Sequence, residues 1–238
     1  MRLTSKYLLS LLGFLTAFLA AGQLSACGQA PATATNTSFD RSAPAAERAK
    51  ALNIQGIQLQ SQGKMQAAAD CYRQAIRIYP EGPAGHNNLA VVLKDLNLIP
   101  EAEKEAFIAI KLRPTRGDYH FNLGLIQQRL NKQVEAEASF RAALKQDTMN
   151  AENHFRVAQT LFAQHKAVEA EDEIKVGILL KPNEAKYHRL LADCLLQQTK
   201  HDGALCEYKT AMELSPESAE SGDIKNKIEY LKQVLKLP

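Results

Sequence analysis

Small and apolar positions recur along the chain at a constant interval of 34 residues. With windows opened at Ala49, Pro83, Gly117, Ala151 and Ala185, the twentieth place is alanine every time: Ala68, Ala102, Ala136, Ala170 and Ala204. The eighth place holds Gly56, Ala90, Gly124, Ala158 and Ala192; the twenty-seventh holds Ala75, Ala109, Ala143, Gly177 and Ala211. Larger side chains flank them, with Leu89, Leu123, Val157 and Leu191 at the seventh place and Tyr72, Phe140, Ile174 and Tyr208 at the twenty-fourth, where Ala106 breaks the series. Each window reads as two amphipathic helices. Turn-tolerant residues near the fifteenth place, Gly63, Asn97, Asn131, His165 and Thr199, end the first helix, and Pro100 suits the first turn of a second. Small residues let the two helices of a hairpin, and the first helix of the next hairpin, approach closely. One hairpin cannot cover its own apolar face, so stability has to come from stacking on neighbours.

Prolines 80, 114, 182 and 216 close four windows, and Thr148 stands where the fifth would be. Beyond Pro216, the stripe Ile224, Ile228, Leu231 and Leu235 predicts a helix that caps the last hairpin, with Lys225, Lys227, Glu229 and Lys232 facing elsewhere. Glu47, Arg48 and Lys50 polarise the opening helix at the other end.

Across residues 49–218 this pattern resembles the tetratricopeptide repeat, in which a small pair, an aromatic and a closing proline fall at these offsets. The resemblance implies an all-α fold, a right-handed α-solenoid of five helix-turn-helix units plus a C-terminal capping helix. The units are 49–82, 83–116, 117–150, 151–184 and 185–218 within a solenoid of residues 46–218, and the cap is 219–238. Departures are few: the fourth-place tryptophan is absent, Gln55 stands where leucine is usual, and Thr148 removes a stiff residue from the third-to-fourth junction, which it is expected to loosen.

The start of the chain is different in kind. Arg2 and Lys6 precede a nearly unbroken apolar run from Tyr7 to Ala21, which has the form of a secretion signal and is shorter than the ~20 residues that span a bilayer comfortably. Behind it, Leu24-Ser25-Ala26-Cys27 resembles the lipobox of bacterial lipoproteins. That resemblance implies that residues 1–26 are removed and that Cys27 carries a diacylglycerol and an acyl chain, enough hydrocarbon for lasting membrane attachment. It places the protein in a bacterial cell envelope, facing the periplasm or exterior. Gly28, in the place where aspartate favours inner-membrane retention, leaves the outer membrane open. Residues 27–45 are rich in alanine, threonine, proline and serine and read as a flexible tether with an r.m.s. span of roughly 20–25 Å.

Removing residues 1–26 leaves 27 basic against 26 acidic residues. With no tryptophan and no basic run, nucleic acid is excluded as an expected partner. No nucleophile-and-base arrangement, phosphate loop or haem-attachment motif is present, so neither catalysis nor a cofactor is expected. Histidines hold the fourth place in four successive windows, His86, His120, His154 and His188. Equivalent residues of stacked helices stand at least ~8–10 Å apart, whereas zinc holds imidazole nitrogens at ~2 Å, so the row is read as packing and not as a metal site. Cys71, Cys194 and Cys206 are expected to remain free, Cys194 facing inward and Cys206 outward.

In tetratricopeptide proteins the inner, concave wall is lined by fixed places of the first helices. Carried onto this chain, that resemblance implies a groove of Asn53, Ile57, Asn87, Val91, Lys94, Phe121, Leu125, Gln128, Arg129, Phe155, Gln159, Phe162 and Arg189. An apolar strip with polar ends suits a protein or peptide partner; the alternative for some of the phenylalanines is core packing between helices. The lysine and asparagine of the family's carboxylate clamp are missing, and Asn88, Asn122 and Arg156 match only isolated clamp positions. Two functions remain open: an adaptor that holds an envelope partner, and a spacer that self-associates through the apolar C-terminal residues 234–238.

Overall fold

The structure, a computed structural model, describes residues 44–217 and 221–237; Cys27, the signal and most of the expected tether lie outside them. The described residues form α-helices and no strand. Five hairpins follow one another: α1 (Ala45–Ser61) with α2 (Met65–Ile78), α3 (Pro83–Asp95) with α4 (Ile99–Leu112), α5 (Gly117–Arg129) with α6 (Gln133–Gln146), α7 (Ala151–Ala163) with α8 (Ala167–Leu180), and α9 (Ala185–Gln197) with α10 (His201–Leu214). A last helix, α11 (Ser221–Leu235), packs on α10. None of these helices is long and apolar enough to cross a membrane.

Every hairpin turns on the residue that the sequence singles out. Gly63, Asn97, Asn131, His165 and Thr199 adopt φ of 75°, 63°, 59°, 62° and 58°. The N–H of the following residue then donates to the carbonyl five positions back, as in Lys64 to Leu59 at 2.9 Å and Leu98 to Leu93 at 2.8 Å, with the same bond in the other three turns. This left-handed closure satisfies carbonyls that the helix end leaves open.

Close approach explains the small residues. The five twentieth-place alanines are all fully buried. A Cβ on Gly56 would lie 2.4 Å from the Tyr72 ring, and one on Gly124 would lie 2.6 Å from the Phe140 ring. Gly177 is different, because a Cβ there meets nothing closer than 3.5 Å.

The apolar core forms two clusters. One runs from Ala68 to Ile126 and the other from Ala136 to Leu231. They meet inside the third hairpin, where the buried Ser139 hydroxyl donates to Gln127 Oε1 at 2.7 Å. In the neighbouring windows the place of Ser139 is taken by glutamate. His86 Nδ1 meets Glu105 at 2.6 Å, His154 meets Glu173 at 2.9 Å and His188 meets Glu207 at 2.7 Å. The opposite ring nitrogens meet the loop carbonyls of Pro80, Thr148 and Pro182 at 2.9, 3.2 and 2.8 Å. Each of these histidines therefore ties an inter-repeat loop to the second helix of its own hairpin. His120 keeps its carbonyl contact, to Pro114 at 2.9 Å.

A second periodic feature joins successive hairpins. Glu103 pairs with Lys132 at 2.8 Å, Glu137 with Lys166 at 3.7 Å and Glu171 with Lys200 at 2.9 Å. Burial alone would raise the Glu171 carboxyl; hydrogen bonds from Lys175, Lys200 and Gln198 overcome this and hold it down at about 2. The series is legible as Glu at the twenty-first place and Lys at the sixteenth of the next window, and it was not among the sequence expectations. Where it stops, both partners change together, to Ala69 and Leu98.

At the third-to-fourth junction, where Thr148 stands in place of proline, the Asn150 side chain accepts from the N–H groups of Glu152 and Asn153, capping α7, and donates to Asp147 at 3.2 Å. One expectation about the cap needs correction. In the cap, Ile224 and Leu231 are buried and Ile228 and Leu235 pack against them as expected, but Lys227 does not simply face solvent. It bonds Asp193 at 2.9 Å and Asp223 at 3.0 Å, and these carboxylates outweigh partial burial, which alone would lower it, to hold its ammonium above the ordinary lysine value. Of the cysteines, Cys194 is buried, Cys206 is exposed, and Cys71 is buried as well.

Candidate protein-binding surface

Stacking places the first helices side by side: α1 touches α3, α3 touches α5, and α7 touches α9. The residues expected to line the groove all lie on these first helices. Side-chain amides run across them from repeat to repeat. Asn122 donates to Asn87 at 2.9 Å, Gln128 to Gln159 at 3.2 Å and Arg129 to Asn97 at 3.0 Å. Gln159 also accepts from Arg156 at 3.0 Å. These contacts fix the spacing of neighbouring first helices while leaving some amide groups free to pair with a polypeptide backbone.

The apolar members divide. Phe121, Leu125 and Phe162 are half-buried, packed against the second core cluster with an edge left open; the Phe121 ring meets Phe140 edge-on at 5.5 Å. Phe121 also lines a hollow of about 460 Å³ with Asp118, Asn122, Asn150, Glu152 and Asn153. Val91 is half-buried, Lys94 pairs with Asp95 at 2.8 Å, and Arg189 is half-buried. Ile57 stands out, with 53% of its surface exposed, while Asn53 beside it donates to the Ala49 carbonyl at 3.1 Å.

Phe155 and Asn87 do not present themselves as open wall. Phe155 is 6% exposed and stacks on Tyr187 at 5.1 Å, with the Lys186 ammonium 4.9 Å above its ring. It therefore works as a spacer between the fourth and fifth hairpins, the core-packing alternative for an aromatic at this place. Asn87 is 8% exposed because it accepts from Asn122 across the junction.

Charge along this face is uneven. Toward the C-terminal end the groups are occupied internally: Lys186 pairs with Glu152 at 2.7 Å, Arg156 with Glu152 at 2.9 Å, and Asp193 accepts from Tyr208 and Lys227. The fourth-place histidines are likewise engaged by their loop carbonyls and, in three windows, by glutamate. No group of three or more potential metal-ligating side chains occurs among the described residues.

An all-α stack of hairpins with half-open aromatic and amide side chains along one face defines a repeat scaffold of the protein-interaction kind. Two family models, both described as tetratricopeptide repeat, match residues 55–116 and 132–194, together more than half of the chain. The chain belongs to the tetratricopeptide-repeat family, and the matched models indicate no catalytic family. No curated protein matches it.

Among solved structures it is similar to MamA from Desulfovibrio magneticus RS-1, at 17% identity and a TM-score of 0.67, over 72% of this chain and 97% of that one. It is also similar to YrrB, described as a TPR protein with an unusual peptide-binding site, at 16% identity and a TM-score of 0.65, over 74% and 90%. A thermophilic TPR protein of Thermus thermophilus matches at 18% identity and a TM-score of 0.55, over 77% and 98%. At these identities the likeness concerns the fold.

Proposed function

We propose that the protein is a non-catalytic adaptor, anchored to a bacterial envelope membrane through lipid on Cys27, that holds a protein or peptide partner along the face of its first helices. The observation that carries the reading is that Ile57, Val91, Phe121, Leu125 and Phe162 keep apolar surface open on one face, interleaved with amides able to pair with a backbone. Apolar side chains left partly open beside unpaired amides are the make-up of a protein interaction site. Assembly of a pilus, secretion system or wall-processing complex is the setting in which such an adaptor would serve. YrrB, with its peptide-binding site, supports the binding part of this reading by analogy only.

The tether is tested separately from the groove. Cys27→Ser should move the protein from the membrane pellet to the soluble fraction and abolish radiolabelled palmitate incorporation. Unchanged pelleting and no label in the parent protein would refute the lipid anchor.

A second reading, a self-associating spacer, rests on the cap, where Tyr230, Val234 and Leu237 are 54%, 41% and 47% exposed. Under that reading sedimentation shows a concentration-dependent dimer that disappears when residues 234–238 are deleted. A monomer at every concentration rejects it.

A further inference from the structure

A hollow of about 400 Å³, lined by the first two hairpins and the start of the third, differs in chemistry from the rest of the face. Its apolar floor is open, with Ile54 and Ile57 on α1 and Tyr79 just beyond α2 exposed by 49%, 53% and 39%. Lys50, Arg113 and Arg116 stand around it, and no acidic side chain lines it. Arg116 is already held by Asp118 at 2.7 Å, whereas neither Lys50 nor Arg113 has a carboxylate partner among the described residues. Elsewhere on this face the cations Arg156 and Lys186 are paired internally. Two amides complete the wall. Asn53 Oδ1 is buried and accepts from no described group, and Asn88 receives a long 3.4 Å bond from Asn87 that leaves its own NH2 free to donate.

We infer that this hollow binds an acidic, apolar polypeptide segment: one large aliphatic or aromatic side chain seated on Ile54, Ile57 and Tyr79, with an adjacent carboxylate between Lys50 and Arg113. The volume accommodates roughly one large side chain and its backbone, at the small end of known ligand sites. Burying the apolar side chain supplies most of the affinity, and the two cations select for the neighbouring negative charge. Asn88 donates to a backbone carbonyl, which favours polypeptide over a simple anion. The carboxylate belongs to a side chain of the segment, since the clamp that grips a free C-terminus is missing its lysine and asparagine. The proposal rests on the groove reading above and adds the chemistry and polarity of the partner: its acidic end lies over the first two hairpins.

The test uses the purified full-length chain and short fluorescent peptides built on one alanine-glutamine frame, each with a benzoyl-phenylalanine flanked by two aspartates, two asparagines or two lysines. A fourth peptide carries the aspartates as asparagines and ends in a free carboxylate. The proposal expects the acidic peptide to bind about tenfold or more tightly than the neutral one, the consequence of losing one charge-assisted contact. Lys50→Glu combined with Arg113→Glu should remove that preference, and both side chains are exposed, so folding is retained. Photolysis should attach the acidic peptide at Ile54, Ile57 or Tyr79, and the fourth peptide tells a terminal from a side-chain carboxylate. Equal affinity for all the peptides overturns the proposal. So does attachment confined to Phe121, Leu125 or Gln128, which leaves the groove reading standing; attachment neither to a first helix nor to Tyr79 defeats both. Binding to phosphatidylglycerol vesicles that the charge-reversed variant loses, without any peptide preference, would assign the cations to a lipid surface and also overturn it.

Discussion

Gly124→Ala adds one methyl group at the tightest point of the third hairpin. In the helix interior the change gains about 1 kcal/mol of propensity, because alanine forfeits less backbone freedom. Against that, the new Cβ lies 2.6–2.8 Å from three carbons of the Phe140 ring. Phe140 is fully buried and meets Phe121 edge-on, so the ring has to tilt or the helices have to separate. Overpacking of this kind costs about 1–3 kcal/mol, leaving a net loss of up to about 2 kcal/mol. Gly177→Ala is the internal control: its Cβ finds ordinary contacts from 3.5 Å outward, so the propensity gain survives and stability rises by up to about 1 kcal/mol. Urea denaturation of the two variants, followed by circular dichroism and fitted as a linear array of repeats, reads the difference. Trimming the ring with Phe140→Leu should reduce the penalty of Gly124→Ala in a double-mutant cycle, since the two sites are in contact. Equal stability of both alanine variants, or full additivity in the cycle, would refute the claim that these glycines exist to admit a ring.

Thr199→Gly should stabilise the fifth hairpin by about 0.5–1 kcal/mol, because a β-branched residue at positive φ carries a local strain that glycine lacks; a fall in denaturation midpoint would contradict this. For His86, burial alone would lower the pKa, but the bonds to Glu105 and the Pro80 carbonyl and the charge of Glu105 raise it above its ordinary value. The stabilisation is therefore fully present below about pH 6.5 and is lost as pH rises through the elevated folded value. A pH series of denaturation midpoints should show that loss in the parent and a flatter profile in His86→Gln; identical profiles would reject the assignment. Phe155→Ala should cost about 3–5 kcal/mol as a buried truncation, whereas Leu125→Gln, at a half-open position, should weaken partner capture with a much smaller stability change; the reverse ordering would restore Phe155 to the binding wall.

The fold was legible because its restraints are local and repeated. Five positive-φ turns at one offset, and alanines that fall inside at one offset, need no knowledge of distant contacts. The binding wall was less so. Phe121 and Phe155 occupy the same place in adjacent windows, yet one keeps an edge open and the other is covered. What separates them is the neighbour one repeat on: Tyr187 stacks on Phe155, whereas over Phe121 the corresponding place is Asn153. Offset counting within a window cannot see that difference, although comparison of each residue with the one 32 positions later can. The histidine series shows in the sequence as a fourth-place row, but its partners Glu105, Glu173 and Glu207 do not, nor do the rungs from Glu103, Glu137 and Glu171. Polar pairs between offsets carry no hydrophobic periodicity and emerge only when charges are tabulated in register. Lys227 escaped for a related reason: its partner Asp193 lies in a different helix, 34 residues away.

Photo-crosslinking in the native host, with the reactive residue placed singly along the molecule, tests the central claim most directly. The account predicts one set of partner adducts from Ile57, Val91, Leu125 and Phe162 on the first helices. From Val168 and Leu179 on α8, which are equally apolar and 61% and 82% exposed, it predicts none. Adducts of the same partner arising from α8 and absent from the first helices would contradict it.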